Sequence, residues 1–361
     1  MDVALIGLAS SGKTTLLKAL AAGHLPQHGS ANEPVMAVVK VPDERLDKLA
    51  TLVSARKTTY LELRLLDFPS LSVGKKGPPP QLLGVLATAD LIVHVVRSFE
   101  DDAVPHPLDS IDPARDVAAL ELELALADLG IVERRIERLT VEARSLAAGA
   151  RGAQEREMAL LRRIKEGLEA EKPVRSMGLS AEELATLSGY NLLTAKPLLL
   201  VLNIDEADAA RTDAIEADAR KRLAGPGTSV IALAVKAEAD VAELPAEDAV
   251  EFRGELGLPD EPAAGRLLQE AVTLLGLITF FTAGPQDTRA WSIPAGTPAV
   301  KAAGRIHSDI ERGFIRAEVI GWQELLATGS HAEAKKKGVM RVEGKTYEVR
   351  DGDVINVLFN V

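Results

Sequence analysis

Residues 2–20 read DVALIGLASSGKTTLLKAL, and the eight at its centre, Gly7-Leu8-Ala9-Ser10-Ser11-Gly12-Lys13-Thr14, decide the class of fold. An apolar run of strand length precedes them and a helical pattern follows. Gly-x-x-x-x-Gly-Lys-Thr between a strand and a helix is a phosphate cradle, because backbone N–H groups and the helix N-terminus point at the anion. Gly7 and Gly12 let the backbone turn sharply and approach closely. In such a loop Lys13 reaches the β and γ oxygens and the Thr14 hydroxyl takes a Mg²⁺ position, while Ala9, Ser10, Ser11 and Thr15 complete the cradle.

Outward from the loop, strand and helix signals alternate. The runs VMAVVKV (35–41), YLELRLLD (60–67) and DLIVHVVRSF (90–99) predict an α/β domain of three layers around a largely parallel sheet. Leu61, Leu63 and Leu65 alternate with Glu62 and Arg64, which predicts a strand wet on one face, paired with 35–41 at a sheet edge. Asp67 ends that strand and is the candidate second metal ligand. From Asp112 the pattern becomes helical, with Val117, Leu120, Leu124 and Ile131, then Met158, Leu161, Ile164 and Leu168, separated by SLAAGARGA (145–153). Two antiparallel helices forming an arm are expected. KPLLLVLNIDE (196–206) and TSVIALAVK (228–236) resume the sheet, and AAGRLLQEAVTLLGL (263–277) closes it. Seven of the chain's twelve aromatic residues fall after residue 279, so a small, separately cored C-terminal domain follows.

Composition bounds the chemistry. The 361 residues, 47% hydrophobic and 26% charged, suffice for two or three domains. No apolar run reaches 18 residues and the first strand signal starts at Asp2, so a cytoplasmic protein without membrane contact is expected. With no cysteine, thiolate metal sites and cysteine nucleophiles are excluded, and the six histidines lack ligand spacing. The formal charge of −11 argues against a chain that coats nucleic acid, although residues 279–361 carry +1 and the rest −12.

The base site is read from LVLNIDE. Asn203 and Glu206 stand where guanine-specific proteins place Asn-Lys-x-Asp; Glu206 is one methylene longer than aspartate, Ile204 replaces the lysine, and Asp205 offers a carboxylate one position away. Ala234, Val235 and Lys236 occupy the usual Ser-Ala-Lys turn, and Lys236 can lie along the ring. On these residues adenine and guanine stay level.

Taken with DLIVHVVRSFEDD (90–102), VKVPDERLDKLA (39–50), LLTAKPLLLVLNIDE (192–206), LITFFTAGPQDTRAWSIPAGTPAVKAAGRIHSDIERGFIRAEVI (277–320) and DGDVINVLFNV (351–361), the chain resembles the YchF/Obg-like ATPase family of P-loop NTPases along its whole length. The resemblance implies a P-loop domain (1–111 and 190–278), a helical coiled-coil insert (112–189) and a small α+β, β-grasp-like TGS domain (279–361). It implies ATP rather than GTP as the cofactor, with Mg²⁺, because Asn203 and Glu206 match the family's Asn-x-x-Glu. It also implies that His106, in the loop after the 90–99 strand, orients the attacking water beside Lys13. A ribosome or another RNA–protein assembly is the implied partner, met through the arm and the TGS domain, where Lys301, Arg305, Arg312, Arg316 and Lys335 to Lys337 gather. A monomer is the default expectation.

The chain departs from the family at both switches. Ala31, beside Ser30, stands where a threonine is expected; Ser70 replaces the glycine of Asp-x-x-Gly; and the next loop is about three residues shorter and carries Pro78, Pro79 and Pro80, which stiffen it. A nucleotide-binding scaffold with little hydrolysis, and a GTPase, are the competing readings.

Overall fold

The computed structural model describes residues 1–21, 34–74, 78–143 and 151–360. Its strands are β1 (Asp2–Ile6), β2 (Val35–Val41), β3 (Thr58–Thr59), β4 (Leu61–Asp67), β5 (Leu91–Ser98), β6 (Leu198–Ile204), β7 (Thr228–Leu233), β8 (Leu277–Ala283), β9 (Thr288–Pro294), β10 (Phe314–Gly321), β11 (Arg341–Glu343) and β12 (Asp353–Phe359). The first sheet has the order β2-β4-β1-β5-β6-β7, and β4, β1, β5, β6 and β7 run parallel. Every residue of β6 is buried, as a central strand covered on both faces requires, and this is why it reads as LLLVLNI with no alternation. In β4, near the edge, Leu63 and Leu65 are buried while Glu62 and Arg64 are exposed. The expected edge pairing of β4 with β2 is present.

Helix α1 (Lys13–Leu20) follows β1 directly; α2 (Glu44–Leu52) lies between β2 and β3; α3 (Pro80–Leu86) follows β4. Pro80 occupies the first turn of α3, where a missing N–H costs nothing, so part of the proline run that stiffens this loop also starts a helix. Ala31 and Ser30 lie outside the described residues. The long helices are α4 (Pro113–Glu142) and α5 (Arg151–Glu169). They are antiparallel: Lys165 pairs with Glu133 at 2.7 Å, Arg135 with Glu157 at 2.9 Å, and Gln154 donates to the Leu139 carbonyl at 3.0 Å. Most of the expected tip, 145–153, falls outside the described residues. At the root of the pair, the buried Asp128 carboxylate accepts from the Leu193 and Thr194 N–H groups, each at 2.8 Å, and from the Thr194 hydroxyl at 2.7 Å. That clamp ties α4 to the segment entering β6.

Contacts divide the chain into two compact units, 1–39 with 64–267, and 40–63 with 268–361. The helical insert therefore belongs to the first unit, and the second recruits a segment from near the N-terminus that the sequence reading places in the P-loop part. The cause is apolar. Leu46 and Leu49 of α2 are completely buried in a core with Phe281, Ala290, Ile320, Leu325 and Val354. The second sheet, of order β11-β10-β12-β8-β9-β3, encloses another core around Phe280, Ile293, Phe314, Val319 and Ile355. Among the described residues no helix is long and apolar enough to cross a membrane.

Candidate nucleotide site

The site lies at the C-terminal ends of the parallel strands, where α/β sheets of this kind open onto a crevice. The phosphate loop joins β1 to α1. A Cβ at Gly7 would lie 2.5 Å from the Val95 carbonyl oxygen, and one at Gly12, whose φ is +96°, would lie 2.2 Å from Asn203 Nδ2. No side chain caps α1 and its first turn has no acidic residue, so its N–H groups remain available to an anion.

Lys13 is folded back on the loop. Its Nζ donates to the carbonyls of Gly7 (3.2 Å) and Leu8 (3.1 Å) and to Ser70 Oγ (3.1 Å). Burial pushes its pKa down to about 8, with the Asp67 charge opposing. The Thr14 hydroxyl donates to Asp67 Oδ2 at 3.0 Å, whereas Asp67 Oδ1 is buried with no partner among the described residues. Burial raises the Asp67 pKa, against the hydrogen bond from Thr14 and the Lys13 charge. An orphaned carboxylate oxygen beside a threonine hydroxyl, at the edge of a phosphate loop, is a donor set suited to Mg²⁺.

Asn203 links two segments. Its Nδ2 donates to the Ser11 carbonyl at 3.0 Å, and its Oδ1 accepts from the Val235 N–H at 3.3 Å. The phosphate loop and the turn carrying Lys236 are thus held by one side chain. Beyond it opens a cavity of about 600 Å³, with Ser10, Gly12 and Thr15 on one wall and Asn203, Glu206 and Lys236 on another. Asp205 also lines the cavity, but its Oδ1 accepts from the Ala207 N–H at 2.9 Å and caps a short helix, whereas the neighbouring Glu206 is exposed on the same wall.

A third wall, of Phe99, Glu100, Asp101 and Val104, was not foreseen residue by residue. Arg97 builds it. Its buried guanidinium donates to the carbonyls of Val104 (2.8 Å), Phe99 (3.2 Å) and Asp101 (3.3 Å) and lies 4.6 Å from the Phe99 ring centroid. Arg97→Leu is expected to cost about 2–4 kcal/mol, because three carbonyls lose a charged donor. Chemical denaturation that found no loss would refute this account of the wall.

His106 is not among the residues lining the cavity. Its Nδ1 accepts from the Leu108 N–H at 3.1 Å, so Nε2 carries the hydrogen that bonds Asp116 Oδ2 at 2.8 Å. With its side chain 4% exposed, it struts the loop against the first turn of α4. The partner lies ten residues on and at helical register, which nothing in the loop itself announces. His94, in the middle of β5, is a second residue that sequence reasoning passed over. Its Nε2 is buried and unpartnered among the described residues, and burial, aided by the Lys13 charge, pushes its pKa down to about 3.

Comparison with known proteins agrees with this architecture. A family model, YchF-GTPase_C, described as "Protein of unknown function (DUF933)", matches residues 277–360. The "Ribosome-binding ATPase YchF" of Bacillus subtilis (strain 168) is 39% identical over 372 residues, spanning 100% of both chains. This chain belongs to the YchF family. A YchF of the same description from Escherichia coli O157:H7 is 38% identical over 366 residues, covering 99% of this chain and 98% of its own. The solved "Schizosaccharomyces pombe YchF GTPase" superposes with a TM-score of 0.85 at 26% identity, covering 99% and 97% of the two chains. The YchF proteins thus carry names that disagree on the base, ATP for the bacterial relatives and GTP for the yeast structure.

Proposed function

We propose that this YchF-family chain is a Mg²⁺-dependent ATPase, with ATP favoured over GTP, whose nucleotide state governs association with the ribosome. One observation carries the reading: a phosphate loop with uncapped helix, free Asp67 oxygen and Lys13 is joined through Asn203 to a cavity that presents Glu206 and Lys236. Thr14 and Asp67 would hold a Mg²⁺, which supplies charge neutralisation at the β and γ oxygens. The backbone of Gly7 to Thr15 binds the phosphates, Lys13 stabilises charge at the γ end, and Glu206 offers an acceptor to the exocyclic amine of adenine. The ribosome is carried over from the printed names of the bacterial relatives. On the second unit itself, Lys301, Arg312, Lys335 and Lys336 each pair with a carboxylate within 2.7 Å, so four of the seven cations of the expected contact surface sit in a mosaic of charge.

A nucleotide-binding scaffold with little or no hydrolysis is favoured by His106, since Nε2 is bonded to Asp116 and Nδ1 accepts from the Leu108 N–H, so both ring nitrogens are engaged. Calorimetry with ATP and GTP in Mg²⁺, followed by single-turnover hydrolysis, separates the readings. Tighter ATP than GTP binding and a turnover above that of Lys13→Ala are expected; equal rates for the two proteins would leave only the scaffold. His106→Ala with intact affinity and a rate lowered about a hundredfold, the usual scale of an acid–base or water-orienting group, assigns the histidine to the water. An unchanged rate leaves it a strut.

A further inference from the structure

We propose that the Ser70 hydroxyl is a ligand of the terminal phosphate and gives this site its preference for a nucleoside triphosphate over the diphosphate. This rests on the reading of the cavity and phosphate loop as an ATP site. An ammonium has three donors, and all three of Lys13 are taken, by the Gly7 and Leu8 carbonyls and by Ser70 Oγ. A phosphate oxygen that bonds Lys13 must therefore displace one of these acceptors. The two carbonyls can only accept, and beside a phosphate oxygen they repel. Ser70 is the one member of the set that can reverse its role: the hydroxyl that accepts from Lys13 turns about χ1 and donates to the incoming oxygen, a charge-assisted bond.

Position assigns that bond to the outermost phosphate. Ser70 follows Asp67 by three residues, on the metal side of the loop, and is not among the residues lining the cavity with Glu206 and Lys236. A nucleotide whose base lies by Glu206 presents its inner phosphates to the loop and only its last to Ser70. The hydroxyl is also held in place without a closing movement. The Phe68 N–H donates to the Leu5 carbonyl at 3.0 Å and the Leu71 N–H to the Gly7 carbonyl at 3.1 Å, and both side chains are buried while Ser70 is exposed. Where the family pattern has a glycine, Ser70 keeps a backbone N–H and adds a side-chain donor on an anchored backbone.

The test is calorimetric titration of the full chain with the non-hydrolysable β,γ-imido analogue of ATP and with ADP, both with Mg²⁺. Wild type is expected to favour the triphosphate, Ser70→Ala to lose about tenfold in triphosphate affinity with ADP affinity changed less than about twofold, and Ser70→Thr, which keeps a hydroxyl, to retain the preference. Thermal melting of each variant confirms folding at this exposed position. A Ser70→Ala protein with the wild-type ratio of affinities overturns the role of Ser70 and leaves the ATP site standing. Wild type that binds neither nucleotide overturns both.

Discussion

Lys13→Met is expected to abolish a rise in stability of about 3 kcal/mol that the wild-type protein shows between about pH 8 and pH 10.5, while weakening ATP binding about a hundredfold or more. The two effects have one origin. Lys13 is buried, and burial lowers its pKa from 10.5 to about 8. A lysine whose folded pKa lies below its unfolded value opposes folding in its charged form: the cost is complete below about pH 8 and fades as pH rises toward 10.5. At 1.36 kcal/mol per unit this amounts to about 3 kcal/mol below pH 8; methionine removes this pH-dependent part, and at the same time the Gly7 and Leu8 carbonyls and Ser70 lose a charged donor. In the proposed ATP site the same ammonium is the cation that meets the β and γ oxygens, and a hydrogen-bonded charge pair at such a site contributes about 3 kcal/mol or more to binding. Urea denaturation of both proteins between pH 7 and pH 10.5 reads the first, and calorimetric titration with ATP the second. A variant whose stability rises with pH in parallel with wild type across that window would refute the strain placed on Lys13, and one with wild-type affinity would refute its role at the phosphate.

The second large effect is at acid pH. His94 keeps a neutral imidazole in the fold, its pKa held at about 3 by burial, while in the unfolded chain it titrates near 6.5. Between these values the unfolded state binds the extra proton, so stability falls as pH falls, by about 3 kcal/mol between pH 6.5 and pH 4. Above 6.5 the residue is silent. Urea midpoints for wild type and His94→Gln across that window are expected to diverge progressively, with the variant showing the flatter acid limb. Parallel limbs would show that the imidazole reaches solvent or a partner. The comparison isolates His94 from Asp67 and Asp128, whose raised values act in the opposite direction in both proteins.

The first sheet was legible because its burial is written locally. β5 and β6 are unbroken apolar runs, and β4 alternates with the period of a strand that is half exposed. The phosphate loop was legible for a related reason: its glycines, lysine and threonine all act within eight residues. What escaped depends on partners distant in sequence. Leu46 and Leu49 give α2 an ordinary amphipathic face, and nothing in those nine residues says that the face meets Phe281 and Val354. His106 was given its role by the resemblance, and its bond to Asp116, on the far side of Asp112 and Pro113, could not be read from the loop because Asp116 reads as a helix-start carboxylate. Ser70 looked like the loss of a glycine until its hydroxyl was found 3.1 Å from a nitrogen 57 residues earlier. Arg97 and His94 sit inside the apolar run of β5, where a polar residue is easily taken for a tolerated exception.

The recruitment of 40–63 into the second unit also bears on how the chain is made. That segment leaves the ribosome early, and the first residue of the unit's other portion, Leu268, comes 205 positions after Leu63. At about 5–20 residues per second, α2 waits roughly ten seconds to a minute with Leu46 and Leu49 lacking their core, while the strands from β4 to β7 are made. Synthesis thus imposes an order in which the nucleotide-binding part is finished before the C-terminal part can begin to close. For the same reason a fragment that starts near residue 268 is born without the strand and helix that complete its core, and a chain truncated there carries an apolar helix face that invites chaperones.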